Sequence, residues 1–332
     1  MQAMILNGIN QPLTLQEAPD PQPGEQEVIV KLAAAALNHR DVWIQMGQYA
    51  GLRFPIILGS DGAGIVTEVG TGVDKSWLGQ AVIINPGTNW GDDPRAQARQ
   101  YKILGLPDDG TFAQFVKAPA ANLLVKPSHL SFEAAATLPL GGLTAFRALF
   151  TRTQLQPNER VLITGVGGGV AVLAFQFAVA CGAQVYVTSG SDEKIERARQ
   201  LGALGGANYR QVDWDKQLRT QAGGFDVIVD SAGGDGFNRL LDLAVPGGRI
   251  TTYGATLGLP KDMDLRRIFW KQLSLIGSTM GTQVDFAAMV KFVEDKKLEP
   301  VIDQVFPLVQ AEAAMQRMHA AEQFGKIVLA IE

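Results

Sequence analysis

The chain has 332 residues, 46% apolar and 19% charged, with a net charge of −4. That length exceeds what one hydrophobic core usually holds, so two domains are expected, and the balance is that of a globular rather than a disordered protein. Basic and acidic residues are interspersed without a basic stripe, which argues against a nucleic-acid role, and the single cysteine, Cys181, excludes a disulfide within the chain.

The N-terminal run 1–8 is strand-like and lacks the basic and apolar regions of a signal peptide. With one cysteine and no leader, a cytoplasmic location is expected. Residues 28–32, 64–70 and 79–84 are short apolar or alternating runs between Gly and Pro turns, the pattern of strands. Residues 38–46 have the pattern of a short helix between the first two. From about residue 126 the rhythm changes to alternating strand and helix. Strands are predicted at 161–164, 184–188, 225–229 and 248–252, with helices at 170–181, 192–201 and 237–244. Apolar strands each followed by a helix imply a parallel, doubly wound sheet. A strand at 273–276, a helix at 285–296 and a strand at 326–329 close the chain. The stretch 161–191 carries no charge over about thirty positions, enough to span a bilayer. Glycines at 165, 167, 168, 169 and 182 divide it, so strand, turn, helix and strand fit it better than a membrane span.

The strongest local signal lies in that stretch. Gly165, Gly167, Gly168 and Gly169, followed by Val170 and Ala171, sit between a predicted strand and a predicted helix. Glycines there permit a sharp turn and let backbone amides approach a pyrophosphate, which the positive helix end then faces. The next strand ends in Ser189, Gly190 and Ser191, with no carboxylate at its tip to bind a ribose 2′-hydroxyl. Small hydroxyls leave room for a 2′-phosphate, and Lys194 supplies a countercharge. Asp192 is read as a helix-dipole partner after the N-cap Ser191. NADP(H) is therefore expected over NAD.

Together these motifs resemble the medium-chain dehydrogenase/reductase superfamily, and in particular its zinc-free quinone oxidoreductase-like branch. The agreement runs through Asn38 and Asp41, the segment 55–64, Gly110 to Phe115, 138–145, 229–233, 247–254 and 325–329. The resemblance implies a GroES-like β-rich substrate domain over residues 1–125, completed by 266–332. It implies a Rossmann NADP-binding domain over 126–265, a cleft between the two, and a homodimer. It further implies that Gly190, Ser191, Lys194 and Tyr209 hold a 2′-phosphate. Thr144, Ser231, Tyr253, Gly254 and Thr256 would line the cofactor, with Lys326 as a looser match. Asn38 would lie near the nicotinamide ribose and the substrate, and Tyr49 in the substrate pocket.

No metal is expected. The positions that carry zinc ligands in the alcohol dehydrogenases hold Asn38 and Ser60, the third site over 138–142 has no Cys, His or acid, and the loop 85–94 has no cysteine. The three histidines, His39, His129 and His319, are far apart in sequence. Without a Lewis acid, oxidation of a neutral alcohol is difficult, whereas hydride transfer to an electron-poor acceptor is not. The resemblance thus implies an NADPH-dependent reductase of quinones or α,β-unsaturated carbonyls. An enoyl-thioester reductase and a low-turnover NADPH-binding scaffold or sensor stay open, and no general acid can be named.

Overall fold

The computed structural model describes residues 1–332. The chain divides into two compact units, Met1–Leu143 with Gly281–Glu332, and Thr144–Met280.

The first unit is built on a seven-stranded sheet. Its central strand is Glu27–Ala36, whose valines, isoleucine and alanines are buried along most of its length. Antiparallel neighbours are Asp61–Val69 and Phe115–Pro119 on the N-terminal side of the chain and Lys326–Ala330 from its far end. The pairing of Val328, Leu329 and Ala330 with Ala36, Ala35 and Ala34 therefore makes the C-terminal segment part of this unit. Its core includes Leu32, Val66, Val82, Phe112, Ile327 and Leu329. Each large side chain buried there contributes about 1.5–3 kcal/mol relative to exposure.

The second unit holds a six-stranded, all-parallel sheet in the order Gly205–Asn208, Gln184–Ser189, Arg160–Ile163, Phe225–Asp230, Ala244–Thr252, Ser274–Gly277. In chain order that is third, second, first, fourth, fifth and sixth. The order reverses between the first and fourth strands, as in a doubly wound Rossmann sheet, and that reversal point is where such folds bind ligands. The expected α/β class, a Rossmann sheet together with a β-rich unit, is the class found. The helix Gly169–Cys181 is apolar on nearly every face and mostly buried, which explains the charge-free stretch. No helix is long and apolar enough to cross a membrane.

The unit boundaries fall later than the expected 125/126 and 265/266. Residues 126–143 stay with the β-rich unit because the helix Phe132–Ala136 packs on Glu27–Ala36, Asp61–Val69 and Lys326–Ala330. Residues 266–280 belong to the second unit because Ser274–Gly277 is the sixth strand of its sheet, paired in parallel with Ala244–Thr252. The strand Gly205–Asn208 has no β-branched or aromatic residue and no local strand signal. Its pairing with Gln184–Ser189 and the Gln221 side chain, which brackets Gly206 N–H and C=O, hold it in place.

Candidate active site

The glycine turn sits where the sheet order reverses. Val166 N–H donates to Thr188 C=O at 2.7 Å, and Gly165 N–H to Thr188 Oγ1 at 3.1 Å. On the other side Thr164 Oγ1 donates to Asp230 Oδ1 at 2.6 Å, while Asp230 Oδ2 accepts from Gly233 N–H at 2.9 Å. The turn is thus fastened to both flanking strands. Gly167, at φ 134°, needs glycine for its backbone conformation. Gly168 does not. It is extended at φ −69°, and a Cβ there would meet nothing closer than Gly165 O at 3.9 Å. The protein leaves room at Gly168 that its own packing does not use. Gly168 is also the N-cap of Gly169–Cys181, makes no side-chain cap, and is followed by no acid in the first turn. The opening amides around Gly169 and half-buried Val170 are those that a pyrophosphate would take. These features fit a dinucleotide.

The tips of the neighbouring strands assemble beside the turn. Ser189 is buried, and Ser191 caps the next helix by accepting Lys194 N–H at 3.3 Å. Asp192 accepts from Asn208 Nδ2 at 2.9 Å, which occupies one oxygen of the nearest acid. A Cβ on Gly190 would fall 2.7 Å from Tyr209 Oη and 3.0 Å from Arg210 Nε. Gly190, Tyr209 and Arg210 therefore lie together, with Lys194 one helical turn from Ser191. Arg210 follows Tyr209 directly in the chain and adds a cation for which the sequence alone gives no role. On the far strands, Ser231 C=O accepts from Thr256 N–H at 3.1 Å and Thr256 Oγ1 at 3.3 Å. Tyr253, next to Gly254, is hydrogen-bonded to the Ser231 side chain, and desolvation pushes its phenol upward, keeping it neutral. Thr144 is buried at the start of this unit.

Asn38 and Tyr49 lie in the β-rich unit. Asn38 opens the helix His39–Gln45, where Asp41 Oδ2 takes the Asn38 N–H at 2.8 Å. The Asn38 side chain turns to other partners. Its Nδ2 donates to Asp61 Oδ2 at 2.9 Å, and its Oδ1 accepts from Lys326 Nζ at 2.8 Å. Lys326 is 2% exposed, and Nζ also donates to Leu37 C=O at 2.7 Å and Asp61 Oδ2 at 2.8 Å. Lys326 is the looser match among the residues expected to line the cofactor. Its three donors are all spent inside the unit, and what it holds is the Asn38 amide. Asp61 Oδ1 accepts from Leu140 N–H at 2.7 Å.

Burial pushes the Asp41 carboxyl up to about 6, against a lowering by Arg40. An acid whose pKa is raised on folding binds its proton more tightly in the folded chain. Its contribution to stability is full below its usual value of 3.8 and is lost as pH rises toward about 6. Denaturant midpoints are expected to fall across that window, and the fall to flatten in Asp41→Asn, as urea titrations at stepped pH would show.

These residues do not fit a zinc ion. No group of three or more His, Cys, Asp or Glu side chains is placed to hold a metal. At the two positions that carry ligands in zinc dehydrogenases, Asn38 is locked to Lys326 and Asp61, and Ser60 Oγ accepts from Arg40 Nη1 at 2.6 Å. Two buried cations thus stand beside the would-be ligands. His39 packs on Trp43 with ring centroids 5.9 Å apart, and burial lowers its pKa.

Comparison with known proteins agrees with this architecture. Residues 24–128 match the model of the alcohol dehydrogenase GroES-like domain, and residues 169–295 that of the zinc-binding dehydrogenase domain. A zinc-type alcohol dehydrogenase-like protein of Leptosphaeria maculans is 35% identical, over 96% of this chain and 95% of that protein. The chain belongs to the medium-chain dehydrogenase/reductase superfamily, among its zinc-type alcohol dehydrogenase-like members. The acryloyl-coenzyme A reductase of Sulfurisphaera tokodaii is 28% identical over 99% of each chain. The crystal structure of an NAD-dependent alcohol dehydrogenase superposes with a TM-score of 0.94 at 39% identity, covering 100% of both chains. As a member of this superfamily the protein is an oxidoreductase that binds a nicotinamide cofactor.

Proposed function

We propose that this oxidoreductase uses NADPH, without metal, to reduce quinones or α,β-unsaturated carbonyls. The observation that carries the reading is a closed polar network at positions that hold zinc ligands in the zinc dehydrogenases. Asn38 is fixed by Lys326 and Asp61, and Ser60 by Arg40, in a chain whose other unit keeps an intact dinucleotide turn. When bound, the nicotinamide supplies the hydride. The protein's own part is to hold the pyrophosphate on the turn, to orient the acceptor near Asn38 and Tyr49, and to receive the charge that develops on it. Abstraction of hydride from a neutral alcohol needs a base or a Lewis acid. The network around Asn38 offers neither, because Asp61 is already paired. Steady-state assays over quinones, enals and alcohols test this. Reduction of quinones or enals is expected to exceed alcohol oxidation by a wide margin, and the reverse order would refute the reading.

The preference for NADPH rests on Gly190, Ser191, Lys194, Tyr209 and Arg210, and on the engagement of Asp192 by Asn208. Lys194→Ala is expected to weaken NADPH while leaving NADH nearly unchanged. A charge-assisted contact is worth about 1.5–3 kcal/mol, or roughly ten- to a hundredfold in affinity. Equal losses for both nucleotides in fluorescence titrations would count against it, and so would a wild-type preference for NADH, as the names of several relatives suggest.

A second reading, reduction of an enoyl thioester, is favoured by the full-length similarity to two acryloyl-coenzyme A reductases. It requires the same hydride transfer to a β-carbon and is separated from the first by adding enoyl thioesters to the acceptor panel.

A further inference from the structure

We propose that Arg40 is an anion-recognising residue, placed to stabilise the negative oxygen that forms on the acceptor during reduction. The inference rests on the reductase reading above. Arg40 is 6% exposed, yet its hydrogen bonds all go to neutral oxygens: Ser60 Oγ at 2.6 Å, Leu104 C=O at 2.8 Å and Leu106 C=O at 3.4 Å. Its Nε–H is buried and has no partner. A buried guanidinium with an orphaned donor and no carboxylate paired to it is costly to keep.

Lys326 shows what a purely structural buried cation looks like in the same neighbourhood. Its three donors are satisfied, and Asp61 pairs with it at 2.8 Å. No remaining charged group hydrogen-bonds to Arg40. The carboxylate of Asp61 is taken by Lys326, Asn38 and Leu140 N–H. Asp41 feels the guanidinium, but its oxygens accept from the Asn38 and Gly59 amides. Burial holds His39 neutral. No carboxylate oxygen is hydrogen-bonded to Arg40, and the group lying on it is the ring of half-buried Tyr49, with its centroid 5.2 Å from the guanidinium carbon. Tyr49 is the residue expected in the substrate pocket. Ser60, which orients the guanidinium, stands at a position that carries a zinc ligand in metal-dependent relatives.

The chemistry calls for such a charge. Hydride, arriving from the reduced nicotinamide with both electrons, forms a C–H bond at the β-carbon of an enone. The C=C pair moves to join the α-carbon to the carbonyl carbon, and the carbonyl π pair goes to oxygen. The enolate so formed takes a proton from water at its α-carbon, and the cofactor leaves oxidised. In a quinone the electrons go to a phenolate oxygen. In both cases the anion is absent from the bound substrate and present after transfer, so a fixed cation beside it accelerates turnover more than it tightens binding.

The test uses the full-length protein with oxidised NADP and 4-nitrophenol, whose phenolate is read by its visible absorbance. Bound nitrophenol is expected to ionise at lower pH than free nitrophenol. Arg40→Met is expected to abolish that shift and Arg40→Lys to keep part of it. With a quinone or enone, Arg40→Met is expected to lower kcat roughly 10- to 100-fold, with a much smaller change in KM. A purely structural clamp on the Leu104 and Leu106 carbonyls would move stability without moving the nitrophenol shift. An equal shift in wild type and Arg40→Met overturns the proposal. If Arg40→Met does not fold, the wild type and Arg40→Lys still decide, since no shift in the wild type overturns it equally. A wild type that shifts nitrophenol but reduces no quinone, enal or enoyl thioester sinks the reductase reading and leaves the anion site standing. One that reduces them without any shift sinks the role of Arg40 alone.

Discussion

Replacing Lys326 by methionine is expected to destabilise the β-rich unit by about 3–5 kcal/mol. The Lys326 ammonium is 2% exposed and pairs with Asp61, itself 0% exposed. Methionine has similar length but no charge, so Asp61 would be left ionised in the interior with only Asn38 Nδ2 and Leu140 N–H to solvate it. The loss comes from that stranded carboxylate more than from the value of the pair itself. The double variant Lys326→Met with Asp61→Asn is therefore expected to recover most of the stability, because the amide keeps an oxygen for Leu140 N–H and carries no charge. Denaturant unfolding of the four members of this cycle measures the coupling. A single Lys326→Met variant within about 1 kcal/mol of wild type would show that Asp61 finds water or a proton instead. Because Lys326 also fixes Asn38 Oδ1, folded material is expected to bind acceptor poorly even where cofactor titrates normally.

Gly168→Val is expected to fold as the wild type does and to lose cofactor affinity by two orders of magnitude or more. The backbone at Gly168 is in a region open to any residue, and a Cβ there meets only Gly165 O at 3.9 Å. A branched side chain would instead fill the space in front of the first amides of Gly169–Cys181, where a pyrophosphate approaches. Loss of the glycine N-cap costs the helix about 1 kcal/mol at most, too little to unfold it. Circular dichroism and thermal melting establish the fold, and quenching of intrinsic fluorescence follows the cofactor. A folded variant that binds as tightly as wild type would mean that the space serves no ligand. Gly167→Val is a useful contrast. Its φ of 134° disfavours any side chain, so there both fold and binding should suffer.

Much of the second unit was legible in the sequence because its signals are local. Strand, glycine turn and helix follow one another within 160–181, and the spacing of apolar runs through residue 252 names a parallel sheet before any contact is known. The absence of cysteine and histidine at the zinc positions was equally plain, since a missing ligand needs no tertiary information. Capping by Ser191 was also readable, because the cap and the amide it accepts are three residues apart.

The rest depends on contacts that sequence periodicity cannot encode. Asp61 and Lys326 are 265 positions apart, and only the antiparallel pairing of Lys326–Ala330 with Glu27–Ala36 brings the ammonium to Asn38. The sequence places Lys326 only loosely near the cofactor, and the fold shows its donors engaged by Leu37, Asn38 and Asp61 within its own unit. Arg40 looked like one more polar residue on a short helix. Burial and the lack of a paired carboxylate, which give it meaning, arise from the carbonyls of Leu104 and Leu106, more than sixty positions away. The strand Gly205–Asn208 and the unit boundaries were hidden for the same reason, being fixed by pairing partners rather than by their own residues. What the sequence by itself determined was the local architecture of the dinucleotide turn and the loss of the metal ligands. What only the tertiary structure decided was which buried charges face each other, because a charge's partner is set by the folded path of the chain and not by its neighbours in sequence.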